Sequence, residues 1–138
     1  MAYQTRKVKY CYVTVPSRPG TGTRILDELR DARVNLLAFS GFPVGGRKAQ
    51  VDLVTDDIRG VQRVARANDW RLSKVKKGFL VTGNDEVGVV DKVLSRLADD
   101  DINVTAVDAV TAGKGRFGMI LWVNPKKYNK AARVLNAR

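Results

Sequence analysis

A chain of 138 residues, 44% of them hydrophobic, can bury about two-thirds of its unfolded surface in one domain or two very small ones. It has no histidine and a single cysteine, Cys11, which excludes Ser-His-Asp and Cys-His catalysis, a His-ligated metal, an internal disulfide and a Cys-rich zinc site. Its 25 Lys and Arg against 14 Asp and Glu give a formal net charge of +11, the balance of a nucleic-acid binder or of a generally basic solvated surface.

The surplus is spread evenly, with twelve basic and seven acidic residues in positions 1–69 and thirteen and seven in positions 70–138. No apolar run approaches the ~20 residues of a membrane span, and residues 1–10 lack the apolar centre of a signal peptide. A soluble, reduced, cytoplasmic protein is expected, one that binds rather than catalyses and needs no cofactor.

Along the chain, residues 10–15 (YCYVTV) are a β-branched and aromatic run, the signal of a first strand. The turn residues PSRPGTGT follow, with Ser17 as an expected N-cap and Pro19 in the first turn of a helix over 21–32. Ile25, Leu26 and Leu29 recur on one face of that helix. Residues 35–39 read as a second strand, and Gly45-Gly46 as the turn into a third over 48–55. A second helix is lined by Ile58, Val61, Val64 and Ala65, and residues 70–75 read as a fourth strand.

The same order then starts again. Sliding the sequence by 68 places sets residues 8–40 over 76–108 without a gap, and nine of the thirty-three pairs are identical, Gly20/Gly88, Leu29/Leu97 and Asn35/Asn103 among them. The second copy has a strand over 79–82, GNDEVG with Asp85 as an N-cap, and a helix over 87–99. It continues with strands over 102–110 and 117–123 and a last helix lined by Tyr128, Ala131, Ala132 and Leu135. The expected fold is therefore α+β: two tandem ferredoxin-like β-α-β-β-α-β units, 1–75 and 76–138, each an antiparallel sheet with both helices on one face. The chain stops where the second unit's last strand belongs, so that strand is absent or another segment replaces it. An unpaired edge and a β-strand apolar on both faces predict a homodimer.

SRPGTGTRIL followed by ARVNLLAFSGFPVGG, and GNDEVGVVDKVLSRLADDDINVTAVDAVTAGKGRFGMILWV in the second copy, resemble the ACT domain, a family of small ferredoxin-like regulatory modules that bind amino acids. The resemblance implies a ligand site at the loop between the first strand and the first helix, completed by the Asn of the second strand at a domain or subunit interface. It points to Ser17, Arg18, Pro19, Gly20 and Asn35 in the first copy and to Asn84, Asp85, Glu86, Gly88 and Asn103 in the second. It also implies a regulated enzyme as a partner. The sequence departs from the family at Val87, which replaces the loop proline, and at Arg33 and Asp101, which stand where a glycine is frequent.

The chemistry of such a loop suits a zwitterion. A helix N-terminus offers unpaired N–H groups and about half a positive charge to a carboxylate. Asp85, or the side-chain carbonyls of Asn35 and Asn103, can accept from an ammonium. Against that, Ser17 and Asp85 can serve as caps alone, and each Asn can simply bridge a turn.

The rival reading is an RNA recognition motif, which has the same element order. Residues 78–84 fit its first signature. Lys114-Gly115-Arg116-Phe117-Gly118-Met119 approaches the second but breaks frame at Arg116 and lacks its second aromatic. The alternation of Phe117, Met119, Leu121 and Val123 with Ile120 and Trp122 predicts a strand covered on both faces, which cannot stack bases, so nucleic acid is not the expected partner. Gly20-Thr21-Gly22, Ala112-Gly113-Lys114-Gly115 and Asp99-Asp100-Asp101 are incomplete as dinucleotide, phosphate and calcium motifs. Cys11 reads as a core residue.

Overall fold

The computed structural model describes residues 3–138; Met1 and Ala2 of the expected first unit lie outside the described residues. Six strands and four helices give an α+β fold: β1 Tyr3–Pro16, α1 Thr21–Asp31, β2 Ala38–Gly45, β3 Lys48–Thr55, α2 Ile58–Ala67, β4 Lys76–Asn84, α3 Val89–Asp99, β5 Val104–Gly113, β6 Arg116–Val123 and α4 Tyr128–Val134, with a 3-10 turn at Pro125–Lys127 before α4. The chain forms two compact units, one of Lys9–Lys76 and one of residues 3–8 together with Lys77–Arg138.

In the Lys9–Lys76 unit the strand order is β2-β3-β1. β1 pairs antiparallel with β3 from Lys9 opposite Thr55 to Pro16 opposite Lys48, and β2 pairs with the other side of β3. Pro43 sits on edge strand β2, where a missing N–H breaks no ladder, and the register shifts between Pro43 and Gly45. Val13, Val51 and Leu53 pack against Ile25 and Leu29 of α1 and Val61 and Val64 of α2. Asp57 caps α2, its Oδ1 accepting from the Gly60 N–H at 3.0 Å.

The expected strand over 70–75 is reduced to a single bridge, Leu72 to Val13. The reason lies at Ser73: its N–H donates to the Tyr12 carbonyl at 2.9 Å, but the Tyr12 N–H is taken by the Ser73 Oγ, also at 2.9 Å. A hydroxyl thus satisfies the donor that a ladder would have used.

The other unit has the order β1-β4-β6-β5. β4 and β5 pair antiparallel with the two sides of β6. Phe79, Val81, Phe117, Met119 and Leu121 form one core with Val93 and Leu97 of α3 and Ala131 and Leu135 from the end of the chain. The rings of Phe79 and Tyr128 stack at 4.5 Å, and the Tyr128 hydroxyl donates to the Gly78 carbonyl at 3.1 Å.

The missing last strand is supplied by the opposite end of the sequence. Residues 3–8 of β1 lie beside β4, and the division at 75/76 is therefore not that of two consecutive stretches. Alternate residues carry the exchange: Tyr3 and Thr5 are buried while Gln4 and Arg6 are exposed, the period of a half-buried strand. Tyr3 belongs to the core formed with α3 and α4, and its hydroxyl accepts from Arg96 at 2.9 Å. On the far side, the Arg138 N–H donates to the Thr5 carbonyl at 3.1 Å and the Lys7 N–H to the Arg138 carbonyl at 2.9 Å.

Truncating a buried aromatic leaves a cavity that costs about 3–5 kcal/mol, so Tyr3→Ala is expected to destabilise the folded chain by about 3 kcal/mol. Tyr3→Phe, which removes only the acceptor for Arg96, should cost about 1 kcal/mol. Urea denaturation checks both; a Tyr3→Ala loss below 1 kcal/mol would show that residues 3–8 are not part of that core.

Candidate functional site

The two β-to-α loops share one backbone frame. In the first, the Ser17 N–H donates to the Arg47 carbonyl at 2.8 Å, the Thr21 N–H to Arg18 at 3.4 Å and the Arg24 N–H to Gly20 at 3.0 Å. In the second, Asp85 donates to Gly115 at 2.8 Å, Val89 to Glu86 at 3.1 Å and Lys92 to Gly88 at 3.0 Å. Each loop is thus held by the carbonyl of a two-residue hairpin turn. Those turns, Gly46-Arg47 and Lys114-Gly115, have positive φ at both positions, the geometry that matches strand twist.

The caps differ from expectation. Neither Ser17 nor Asp85 is the N-cap; that position belongs to Gly20 (φ 88°) and Gly88 (φ 81°), without a side-chain hydrogen bond at either helix start. Pro19 lies in the turn before the helix, and α3 begins at Val89. A Cβ at Gly20 or Gly88 would meet nothing within 4 Å, so glycine stands there because of its φ and not because something approaches closely. The first turns of α1 and α3 consequently present N–H groups that no side chain caps, the feature that receives an anion.

Side chains separate the two loops. Around the second, Arg116 donates to the Asn84 Oδ1 at 3.0 Å and Lys92 pairs with Glu86 at 3.4 Å, so two of its expected ligand groups are already engaged. Around the first, positions 16–24 (PSRPGTGTR) contain no carboxylate, and the exposed Arg18 and Arg24 have no ion pair among the described residues. The first loop is therefore cationic, whereas the second carries Asp85 and Glu86 beside Lys92 and Arg116.

Asn35 and Asn103 are not beside these loops. The second strands begin at Ala38 and Val104, so Asn35 precedes β2 and Asn103 immediately precedes β5, each beyond the far end of its helix. Eleven helical residues separate loop from Asn by roughly 16 Å. The Asn35 carbonyl accepts from the Thr55 Oγ1 at 2.7 Å, and Asn35 borders a shallow groove of about 520 Å³ with Leu26, Asp27, Arg30, Arg33 and Leu36. One unit alone does not bring Ser17, Arg18, Pro19 and Gly20 together with Asn35, nor Asn84, Asp85, Glu86 and Gly88 together with Asn103. Arg24, on the first turn of α1, and Arg47, whose carbonyl holds Ser17, frame the first loop and were not among the expected site residues.

Other groups are structural. Cys11 is fully buried, and burial pushes its thiol pKa up although Ser73 hydrogen-bonds it. Phe79, Phe117 and Met119, the positions an RNA recognition motif would use for stacking, are 0–4% exposed and lie in the core with α3 and α4. Ile120 and Trp122, on the other face of β6, are buried as well.

No family model and no curated protein sequence matches the chain. Solved structures do. A protein from Bacteroides thetaiotaomicron superposes with a TM-score of 0.79 at 14% identity, over 96% of this chain and 88% of that one. The ligand-free regulatory subunit of aspartate kinase from Thermus thermophilus gives 0.69 at 11%, over 99% and 95%. Aspartate kinase from Synechocystis gives 0.62 at 14%, over 97% of this chain but 25% of that one. The chain shares a fold with the regulatory subunit of aspartate kinase from Thermus thermophilus.

Two predictions follow from the backbone and from burial. Arg33 (φ 59°) and Asp101 (φ 58°) are left-handed at helix C-termini, a conformation costing about 1–2 kcal/mol for a residue with a Cβ. Arg33→Gly and Asp101→Gly should each stabilise by about 0.5–1 kcal/mol, the remainder being lost to glycine's unfolded-state entropy, whereas Gly20→Ala should destabilise by about 1–2 kcal/mol; thermal melts read all three. Tyr10 is buried beside Asp52, and burial first, then the carboxylate, raises its pKa to about 12. Its contribution is present in full below the unfolded value near 10 and is lost as pH rises through 10 to 12. Denaturant titrations should show that decline in wild type and a shallower one in Tyr10→Phe; identical profiles would contradict it.

Proposed function

We propose that the chain is a regulatory module that senses a free amino acid at the loop between β1 and α1 and is built of two ACT-like ferredoxin units. The observation that carries this reading is the first loop: an uncapped helix start at Gly20, with Arg18 and Arg24 exposed and no carboxylate nearby. The N–H groups after Gly20 receive the ligand's carboxylate and the arginines add charge and direction. The second loop, occupied by its own ion pair, is the weaker site. The strand order, in which residues 3–8 take the fourth-strand place, supports the two-unit layout.

Because Asn35 stands at the far end of α1, it completes the site only when contributed by an apposed unit. The surfaces for apposition are edge strands: β2 exposes Phe39, Phe42 and Val44, and β5 exposes Val107 and Val110. Unpaired edges bearing apolar side chains are templates for pairing, which supports a homodimer even though the edge beside β4 is covered. Occupancy is then read by dimer geometry and passed to a regulated enzyme. An RNA recognition motif is disfavoured because its stacking positions are buried.

A thermal-shift panel of the twenty amino acids tests the reading. One of them, at a hundredfold excess over its dissociation constant, should stabilise by about 2.7 kcal/mol, or roughly 5–10 °C. Arg18→Gln/Arg24→Gln should abolish the shift, Asp85→Ala should leave it intact, and sedimentation velocity should show a dimer. A panel in which no amino acid moves the melting point would refute the proposal.

A further inference from the structure

The positive charge, even by halves, is strongly segregated within the unit that contains the C-terminal residues. Positions 109–138 hold seven Lys and Arg (Lys114, Arg116, Lys126, Lys127, Lys130, Arg133, Arg138) and no Asp or Glu. Positions 3–8 and 77–108 hold five basic and seven acidic residues. Four of the seven cations fall on α4 and the turn before it.

The local structure fixes them there. Asn124 accepts the Lys126 N–H on its Oδ1 at 2.9 Å and Pro125 opens the 3-10 turn, a rigid start. α4 then buries Tyr128, Ala131 and Ala132, so Lys126, Lys127, Asn129 and Arg133 are exposed and Lys130 is half-buried. Lys77 stands beside the start of this helix, its Nζ 5.5 Å from the Tyr128 ring centre. At one flank the Lys130 Nζ donates to the Asp100 backbone carbonyl at 3.0 Å. Lys126, Lys127 and Arg133 have no ion pair among the described residues.

We propose that this face of α4 binds the phosphate backbone of duplex nucleic acid without reading base sequence. From 126 to 133 the cations span about 10 Å, over which a duplex presents about six phosphate charges. The chemistry of the face selects among anionic partners. It exposes no large apolar residue, as an interfacial membrane helix would. Tyr128, its aromatic, is 7% exposed and offers no platform for an unstacked single strand. Lysines and asparagines around one arginine suit phosphate oxygens. This surface is separate from the buried sheet positions that exclude an RNA recognition motif.

Fluorescence anisotropy with a labelled 20-base-pair mixed-sequence DNA duplex tests it in the full chain. With four phosphate contacts, log affinity against log salt should have a slope near −3.6, about a 150-fold loss between 50 and 200 mM. Lys126→Gln/Lys127→Gln/Arg133→Gln should bring the slope near −1, and the single reversal Lys127→Glu should weaken binding about tenfold at 50 mM salt. The charge-retaining Lys126→Arg/Lys127→Arg/Arg133→Lys should bind like wild type. Lys9→Gln/Arg71→Gln/Lys74→Gln, removing the same charge from the other unit, should stay within about threefold. Absence of binding at 50 mM salt, equal weakening by both charge-removing triples, or equal competition by single-stranded DNA or polyglutamate overturns the proposal.

Discussion

A strand at the edge of a sheet leaves a row of N–H and C=O groups that water or another strand must satisfy, and β1 meets that requirement in both units. Its fourteen residues are longer than either unit needs. Residues 9–16 pair with β3, and residues 3–8 stand beside β4. Because one uninterrupted strand serves two cores, Tyr3 is buried with α3 and α4 while Val13 is buried with α1 and α2. In the Lys77–Arg138 unit β4 consequently has a neighbour on each side, β1 and β6, and β5 is left as the edge. The reduced pairing at Leu72 belongs to the same arrangement, with the Ser73 hydroxyl standing in for a carbonyl.

The repeated unit also shows how one backbone can be given two electrostatic characters. Both β-to-α loops hang from a hairpin carbonyl and end in a left-handed glycine, so the geometry of the helix start is duplicated. What differs is the side chains: Arg18 and Arg24 in one copy, Asp85 and Glu86 with Lys92 in the other. An internal ion pair already stands at the second helix start, while the first is left open and cationic. The two loops therefore differ in charge and not in backbone.

Much of this was legible in the sequence. The 68-residue offset paired the first helices of the two copies, apolar spacing marked the second pair, and β3 was expected over the eight residues it occupies, because β-branched alternation between Gly46 and Asp56 leaves little choice. The first seven residues of β1 were missed because only Tyr3 and Thr5 mark the alternation and both partners lie over seventy residues away. The caps were misassigned for a related reason. Ser and Asp are favoured at N-caps, but an αL glycine three residues on sets where the helical dihedrals begin, and backbone sign is not written in propensity. The separation of Asn35 from Gly20 follows from helix length alone. The cationic character of α4 was hidden by counting charge over halves when the segregation is over thirty residues.

The central claim is that the open helix start after Gly20 receives the carboxylate of an amino acid. The most direct measurement is an amide-resolved NMR titration of the ¹⁵N-labelled chain with the amino acid that stabilises it. The account predicts that the largest shift changes fall on the amides of Gly20, Thr21, Gly22 and Thr23, with Gly88 and Val89 changing little. Shifts centred on the second loop, or spread over residues away from both helix starts, would contradict it.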